Sequence, residues 1–422
     1  MMSSVPKNKY GFIAIVGGLF FIFGFVTWLN GTLIPYLRMA CELSEFQSYF
    51  VATAFYISYF VMALPSSYIL KKTGFKNGMS LGLFVMAIGS LLFIPASNAR
   101  NYYLFLFGLF IQGTGLTILQ TASNPYITIL GPIESAAKRI SIMGICNKVA
   151  GILSPIILGA IVLKGADKLE KELLTMDLVQ KANQLDMLAG RVIWPYVVMA
   201  IVLVILALVI RYSPLPNIEE EEDDSASSNN PLDRASIIEY PQIVFGVIAI
   251  FLYVGAEVIA GDTIGNYGKS LGISMDQSRF FPSLTLTCML VGYVIGILTI
   301  PKYIKQETAL KWSAIIGIIF SVGILFTKGY YSVFLVASLG LANALMWPAI
   351  WPLAISGLGR HTKTGSALLI MGIVGGAILP PLYGKIGELI HSSQMAYLIL
   401  IPCYLYILWY AKAPFHKKLI PG

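Results

Sequence analysis

The sequence predicts an all-α integral membrane fold with twelve transmembrane helices, and three observations carry that prediction. Of 422 residues, 57% are hydrophobic and only 12% charged, about half the charged share of a soluble domain. The mean hydropathy is +0.76. The apolar runs are continuous over about 20 residues, as bilayer-crossing helices require, and not short and alternating like barrel strands. The net charge of +8 collects in short connections between runs, which describes topology and not a nucleic-acid surface.

Taken in order, the runs place spans at residues 10–36, 47–70, 79–96, 103–130, 140–163 and 192–210. Six more follow at 243–267, 280–300, 310–326, 331–358, 365–386 and 394–410. The first has no small-residue cleavage site, so it reads as a retained helix and not a signal peptide. Basic stretches close the second and eighth spans, Lys71-Lys72-Thr73-Gly74-Phe75-Lys76 and Pro301-Lys302-Tyr303-Ile304-Lys305, at matching places in the two halves. With both termini cytoplasmic, 17 of the 29 Lys and Arg residues fall on the inner side, as the positive-inside rule asks. The connection 165–191, with Leu169-Glu170-Lys171-Glu172-Leu173-Leu174, suits a short amphipathic helix on the outer surface.

Residues 1–210 and 243–422 therefore form two six-helix halves. The linker between them, 211–242, carries the acidic run Glu219 to Asp224 and a Ser/Asn stretch, a composition that cannot bury a core. It reads as a solvated tether. Cys41, Cys146, Cys288 and Cys403 lie scattered in or beside apolar segments and suit packing better than a disulfide or metal site. No phosphate-binding loop, metal-ligand cluster or catalytic-triad spacing appears, so the sequence predicts neither an enzyme nor an ATP-driven pump, and no cofactor.

Polar groups inside apolar runs are the candidate working residues, because they are costly there unless they serve a purpose. Asn30 in the first span, and Gln120 and Asn124 one helical turn apart in the fourth, could offer hydrogen bonds to a polyhydroxyl ligand. Interhelical hydrogen bonding is the plainer reading of the same amides. Asn147 and Lys148 follow in the fifth span. Trp347 and Trp351, a turn apart in the tenth span beside Asn343, could stack on a sugar ring or could simply pack near their prolines.

The seventh span holds Gly255-Ala256-Glu257-Val258-Ile259-Ala260-Gly261-Asp262-Thr263-Ile264-Gly265-Asn266, with the only carboxylates deep in a span. On a regular helix Glu257 and Asp262 lie about 140° apart, while Asp262 and Asn266 share a face. Lys148 has no acid on its own helix, so it is expected either to pair with Glu257 or with Asp262, or to snorkel or line a cavity.

The stretch Gln120-Thr121-Ala122-Ser123-Asn124-Pro125-Tyr126-Ile127-Thr128-Ile129-Leu130-Gly131-Pro132, together with Arg139, Asn147 and Tyr253-Val254-Gly255-Ala256-Glu257, resembles the fucose:proton symporter family of the major facilitator superfamily. The likeness is greatest to its glucose/galactose transporter members. It implies a monosaccharide importer working by alternating access, for a glucose/galactose-type hexose or else fucose or N-acetylglucosamine. The resemblance implies that the fucose symporter carries acids where Gly31 and Gln120 stand here, whereas the glucose/galactose members share Gln120. A proton is accordingly the expected coupling ion, through Glu257 or Asp262, with sodium coupling, uniport or a non-transporting sensor as alternatives. A monomer in the bacterial inner membrane, with sugar and bilayer as partners, completes the expectation.

Overall fold

In a bilayer every backbone polar group must be satisfied within the protein, so an apolar chain of this kind resolves into helices. The computed structural model describes residues 9–129, 136–213, 236–300, 303–358 and 361–414, with side chains from 15 to 123, from 143 to 213, and from 236 onward except 362–363. Among the described residues there is no strand. The acidic run of the linker falls outside them.

Helices α1 (Lys9–Thr27) and α2 (Asn30–Ala40) make the first crossing, and α3 (Glu45–Ser48) is a single capped turn after it. Helix α4 (Phe50–Leu91), with α5 (Phe93–Asn98), carries the second and third crossings. Next come α6 (Tyr102–Ile129) and α7 (Ala136–Val162), the connecting helices α8 (Ala166–Leu173) and α9 (Leu178–Gly190), and α10 (Ile193–Tyr212). The second half opens with α11 (Pro241–Asp262) and α12 (Ile264–Ser270), which share the seventh crossing, followed by the short α13 (Met275–Ser278). Helices α14 (Phe281–Thr299) and α15 (Gln306–Phe326) are the eighth and ninth crossings, and α16 (Gly329–Asn343) with α17 (Met346–Ile355) the tenth. Helices α18 (Thr362–Met371) and α19 (Gly375–Leu389) form the eleventh, and α20 (Leu400–Lys412), after the 3-10 turn Met395–Ile399, the twelfth.

Among the described residues eleven segments are long and apolar enough to cross a membrane, and one of them, Glu45–Asn98, has 54 residues. That is twice the length of a crossing, so the total is twelve. The loop expected after Lys71 is instead a sharp kink within one hydrogen-bonded element. Gly74 there has φ 73° and ψ 166°, a backbone open to glycine and closed to other residues. The amphipathic connection holds two helices in place of the one expected.

Helices associate in lipid through close approach and a few interhelical hydrogen bonds, since apolar surface gains little by leaving lipid. Helices α4 and α6 meet at Gly82 and Gly115, where a Cβ on either glycine would press on the other's carbonyl oxygen. Ser80 Oγ donates to Ala207 O at 2.9 Å between α4 and α10. Gln112 Nε2 donates to Ser90 Oγ at 2.7 Å between α6 and α4. Leu64, Ile88, Phe107, Ile205 and Leu298 stay exposed, as a lipid-facing belt requires.

The two halves meet most polarly at the end of the bundle away from the termini. Asp167, at the start of α8, accepts from the backbone N–H groups of Met275 (2.7 Å) and Asp276 (2.8 Å). Glu388 of α19 accepts from the Phe46 N–H at 2.9 Å, and Lys269 pairs with Glu170 at 2.6 Å. These contacts close that face over the centre.

Candidate substrate and ion site

The first and seventh crossings are both interrupted, and by the same local chemistry. Thr27 Oγ1 donates back to Phe23 O (2.9 Å) at the end of α1, and Thr263 Oγ1 donates back to Ile259 O (2.7 Å) at the end of α11. A hydroxyl bonded to the carbonyl four residues earlier competes with the helix ladder and bends it. Each break is followed by an asparagine in the same register, Thr27-x-x-Asn30 and Thr263-x-x-Asn266. This repeat between equivalent spans is a signal that periodicity alone does not expose. In the tenth crossing the gap at Ala344–Leu345 has another cause, for Pro348 lacks an N–H and its ring opposes the carbonyl of Ala344.

Between these interruptions lies a buried ion pair. Lys148 Nζ of α7 donates to Glu257 Oε1 of α11 at 3.1 Å, with side chains only 8% and 11% exposed. Of the two acids expected as partners, Glu257 is the one the structure places there. The ammonium also stands 4.6 Å from the Trp28 ring and 5.9 Å from that of Tyr293, an arrangement that stabilises a desolvated cation. Trp28 is itself a wedge. A Cβ on Gly151 would lie 2.5 Å from the indole, and one on Gly261 2.6 Å from it, so the ring fits between halves only because both helices present glycine.

Around this centre, Gln120 is buried and its Nε2 donates to Tyr59 OH at 2.7 Å. Tyr56 adjoins the Asn30 amide and lies within electrostatic reach of Asp262 and Glu257. Tyr253 adjoins Glu257. Asn147 is buried where α7 runs against Gly24 of α1, a close approach that a Cβ on Gly24 would block. Tyr56, Tyr59 and Tyr253, none of them expected from the sequence as a site residue, make the centre aromatic as well as polar. They are hard to foresee among 23 tyrosines, because only packing decides which hydroxyls turn inward.

The remaining expected residues are placed less centrally or otherwise occupied. Asn343 Oδ1 accepts from Tyr404 OH at 2.9 Å and so ties α16 to α20. Trp347 and Trp351 stack on one another, ring centroids 5.2 Å apart, and Trp347 is tilted against Tyr253 at 6.4 Å. Asn124 and Arg139 fall outside the residues whose side chains are described. Asp262 and Asn266, expected to share a face of a regular helix, flank the break at Thr263 and are almost completely buried. No group of three or more His, Cys, Asp or Glu able to hold a metal occurs among the described residues.

Twelve crossings, closed at one face over a polar, aromatic and charged centre shared by both halves, define a multi-pass membrane carrier. A family model described as Major Facilitator Superfamily matches residues 16–381, and the chain belongs to that superfamily of transporters. It is 34% identical to the glucose/galactose transporter of Brucella abortus biovar 1 (strain 9-941), covering 97% of this chain and 98% of that one. It is 28% identical to the L-fucose-proton symporter of Escherichia coli (strain K12), covering 94% and 92%. The fold is similar to the crystal structure of the superfamily transporter FucP in the outward conformation, with a TM-score of 0.72, 28% identity, and coverage of 95% and 97%. A D-xylose-proton symporter shares the fold at a TM-score of 0.67 and 17% identity.

Proposed function

We propose that the protein imports a glucose/galactose-type hexose together with protons, by alternating access between two six-helix halves, 1–210 and 243–422, joined by the linker 211–242. The single observation that carries the reading is the Lys148–Glu257 pair, buried at the junction of α7 and α11. A charged latch across the two halves costs a good deal to bury. Its use is to hold one arrangement that ligand or ion can release, which is what coupling demands. Gln120, Asn124 and Asn147 are the proposed hydrogen-bonding partners of the sugar, with Trp347 and Trp351 as an apolar platform and Asn30, Asn266 and Asn343 as further amides near the path. The relatives named above support sugar as the substrate class and a proton as the ion. The protein works as a monomer in the bacterial inner membrane, both termini cytoplasmic.

Reconstituted protein in proteoliposomes tests this. An imposed inward proton gradient should concentrate D-glucose or D-galactose, whereas an inward sodium gradient alone should not. Mere equilibration under every gradient would mean a uniporter, and sugar binding without flux a sensor.

A further inference from the structure

Asp262 is 0% exposed, and neither of its carboxylate oxygens has a hydrogen-bond partner. It differs in this from Glu257, whose carboxylate is held by Lys148. Asp262 ends α11 at the break in the seventh crossing and faces the start of α2, just past the break in the first. A Cβ placed on Gly31 would lie 3.3 Å from Asp262 Oδ1. The two asparagines of the Thr-x-x-Asn repeat are close along the chain to these residues, Asn30 just before Gly31 and Asn266 four residues after Asp262. Each is 1% exposed, and each amide has a tyrosine hydroxyl beside it, Tyr56 at Asn30 and Tyr49 at Asn266. The Asp262 carboxylate, at a helix interruption, is thus left with both oxygens unsatisfied, where nearly all buried polar groups in proteins are paired.

We infer that this pocket is a proton site, with Asp262 as the acid that carries the coupled proton and Asn30 and Asn266 as the amides that receive its ionised form. The inference rests on the proton-symport reading above and deepens it. A carboxylate in such surroundings cannot stay ionised without a partner, but the neutral acid can. The closed arrangement around Asp262 therefore forms when the acid is protonated. When the bundle is open on the outer side, a hydronium ion gives its proton to an Asp262 oxygen, an O–H bond forms and water is left. When it opens inward, that O–H bond breaks, water takes the proton, and the Nδ2–H groups of Asn30 and Asn266 turn to the carboxylate.

Other groups around Asp262 are already engaged or carry no charge. On its own helix, Glu257 is the charged neighbour. Lys148 from α7 is bound to that glutamate and not to Asp262. Helix α4 contributes Tyr56. Thr263 Oγ1 meets Tyr397 at 3.2 Å, and Tyr267 of α12 is bonded to Ser332 of α16. Helix α14 brings Pro282 against Gly31, and Arg279, beyond α13, pairs with Asp276 at 3.1 Å. Helix α2 brings Gly31 against Asp262, and Tyr49, just before α4, stands beside Asn266.

Two measurements on the full-length reconstituted protein test the site. With a pH-sensitive dye inside the vesicles, D-galactose added outside should drive proton entry in the parent. In Asp262→Asn, which imitates the neutral acid, that entry should fall at least tenfold while galactose counterflow can still be measured. Proton entry kept in Asp262→Asn would overturn the inference and leave the symport reading intact, whereas galactose flux without proton entry in the parent would overturn the symport reading itself. The second measurement needs no variant. Dicyclohexylcarbodiimide, which attacks protonated carboxyls in apolar sites, should modify Asp262 and spare Glu257, as read by peptide mass spectrometry. Modification of Glu257 instead, or of neither acid, would overturn the assignment.

Discussion

Lys148 Nζ stands 3.1 Å from Glu257 Oε1 and joins α7 to α11 across the centre of the bundle. Removing one partner of a buried pair leaves the other charge uncompensated, which costs about 3–5 kcal/mol, while removing both costs less than the two single losses together. Lys148→Ala and Glu257→Gln should each lower thermal stability in detergent markedly, and the double variant should recover part of the loss. Additive losses would show that the two groups do not act as a pair.

Gln120 and Asn147 are buried amides in the centre. A site that hydrogen-bonds a hydroxyl loses about 1–3 kcal/mol when one partner is removed and the other stays buried. Gln120→Ala and Asn147→Ala should therefore raise the hexose dissociation constant on the order of tenfold, measured by equilibrium binding. Unchanged affinity in both would remove these residues from the sugar site.

Trp28 is wedged between Gly151 and Gly261, so a methyl group at Gly261 has no room while the halves are in this arrangement. Overpacking of this kind costs about 1–3 kcal/mol. Gly261→Ala should shift the population toward an open bundle, seen as greater labelling of cysteines introduced along the closed face. Trimming the wedge in a Trp28→Phe, Gly261→Ala double variant should reverse the shift.

At the closed face, Asp167 and Lys269 make a contrast. Asp167 holds two backbone N–H groups of the opposite half, and each such charge-assisted bond is worth about 1.5–3 kcal/mol. Lys269 and Glu170 are 30% and 46% exposed, and a pair that wet is worth less than about 1 kcal/mol. Asp167→Ala should open that face in the labelling assay. Lys269→Ala should leave it nearly as it was.

Much of this architecture is legible from hydropathy, because the bilayer forces every run of about 20 apolar residues into a helix whatever its neighbours do. Twelve crossings follow from that rule, and so does the oddity of Lys148, Glu257 and Asp262, since a charge in a span stands out in any window. The break at Thr263 was less visible. It depends on a threonine bonding back to its own helix, and threonine does so in some helices and not in others. Regular geometry puts Asp262 and Asn266 on a shared face of one helix, while the structure sets them on two helices, either side of an interruption.

The sequence by itself determined the fold class, the superfamily likeness and the short list of membrane-embedded polar groups, all of them properties of single helices or of composition. Only the tertiary structure decided that Lys148 belongs to Glu257, that Asn343 is occupied by Tyr404, and that Asp262 stands unpartnered against Gly31. Pairing is a matter of which helix lies against which, and at what depth, to within an ångström. Residue spacing along one chain carries no such information until glycines such as Gly151 and Gly261 let the helices close on one another.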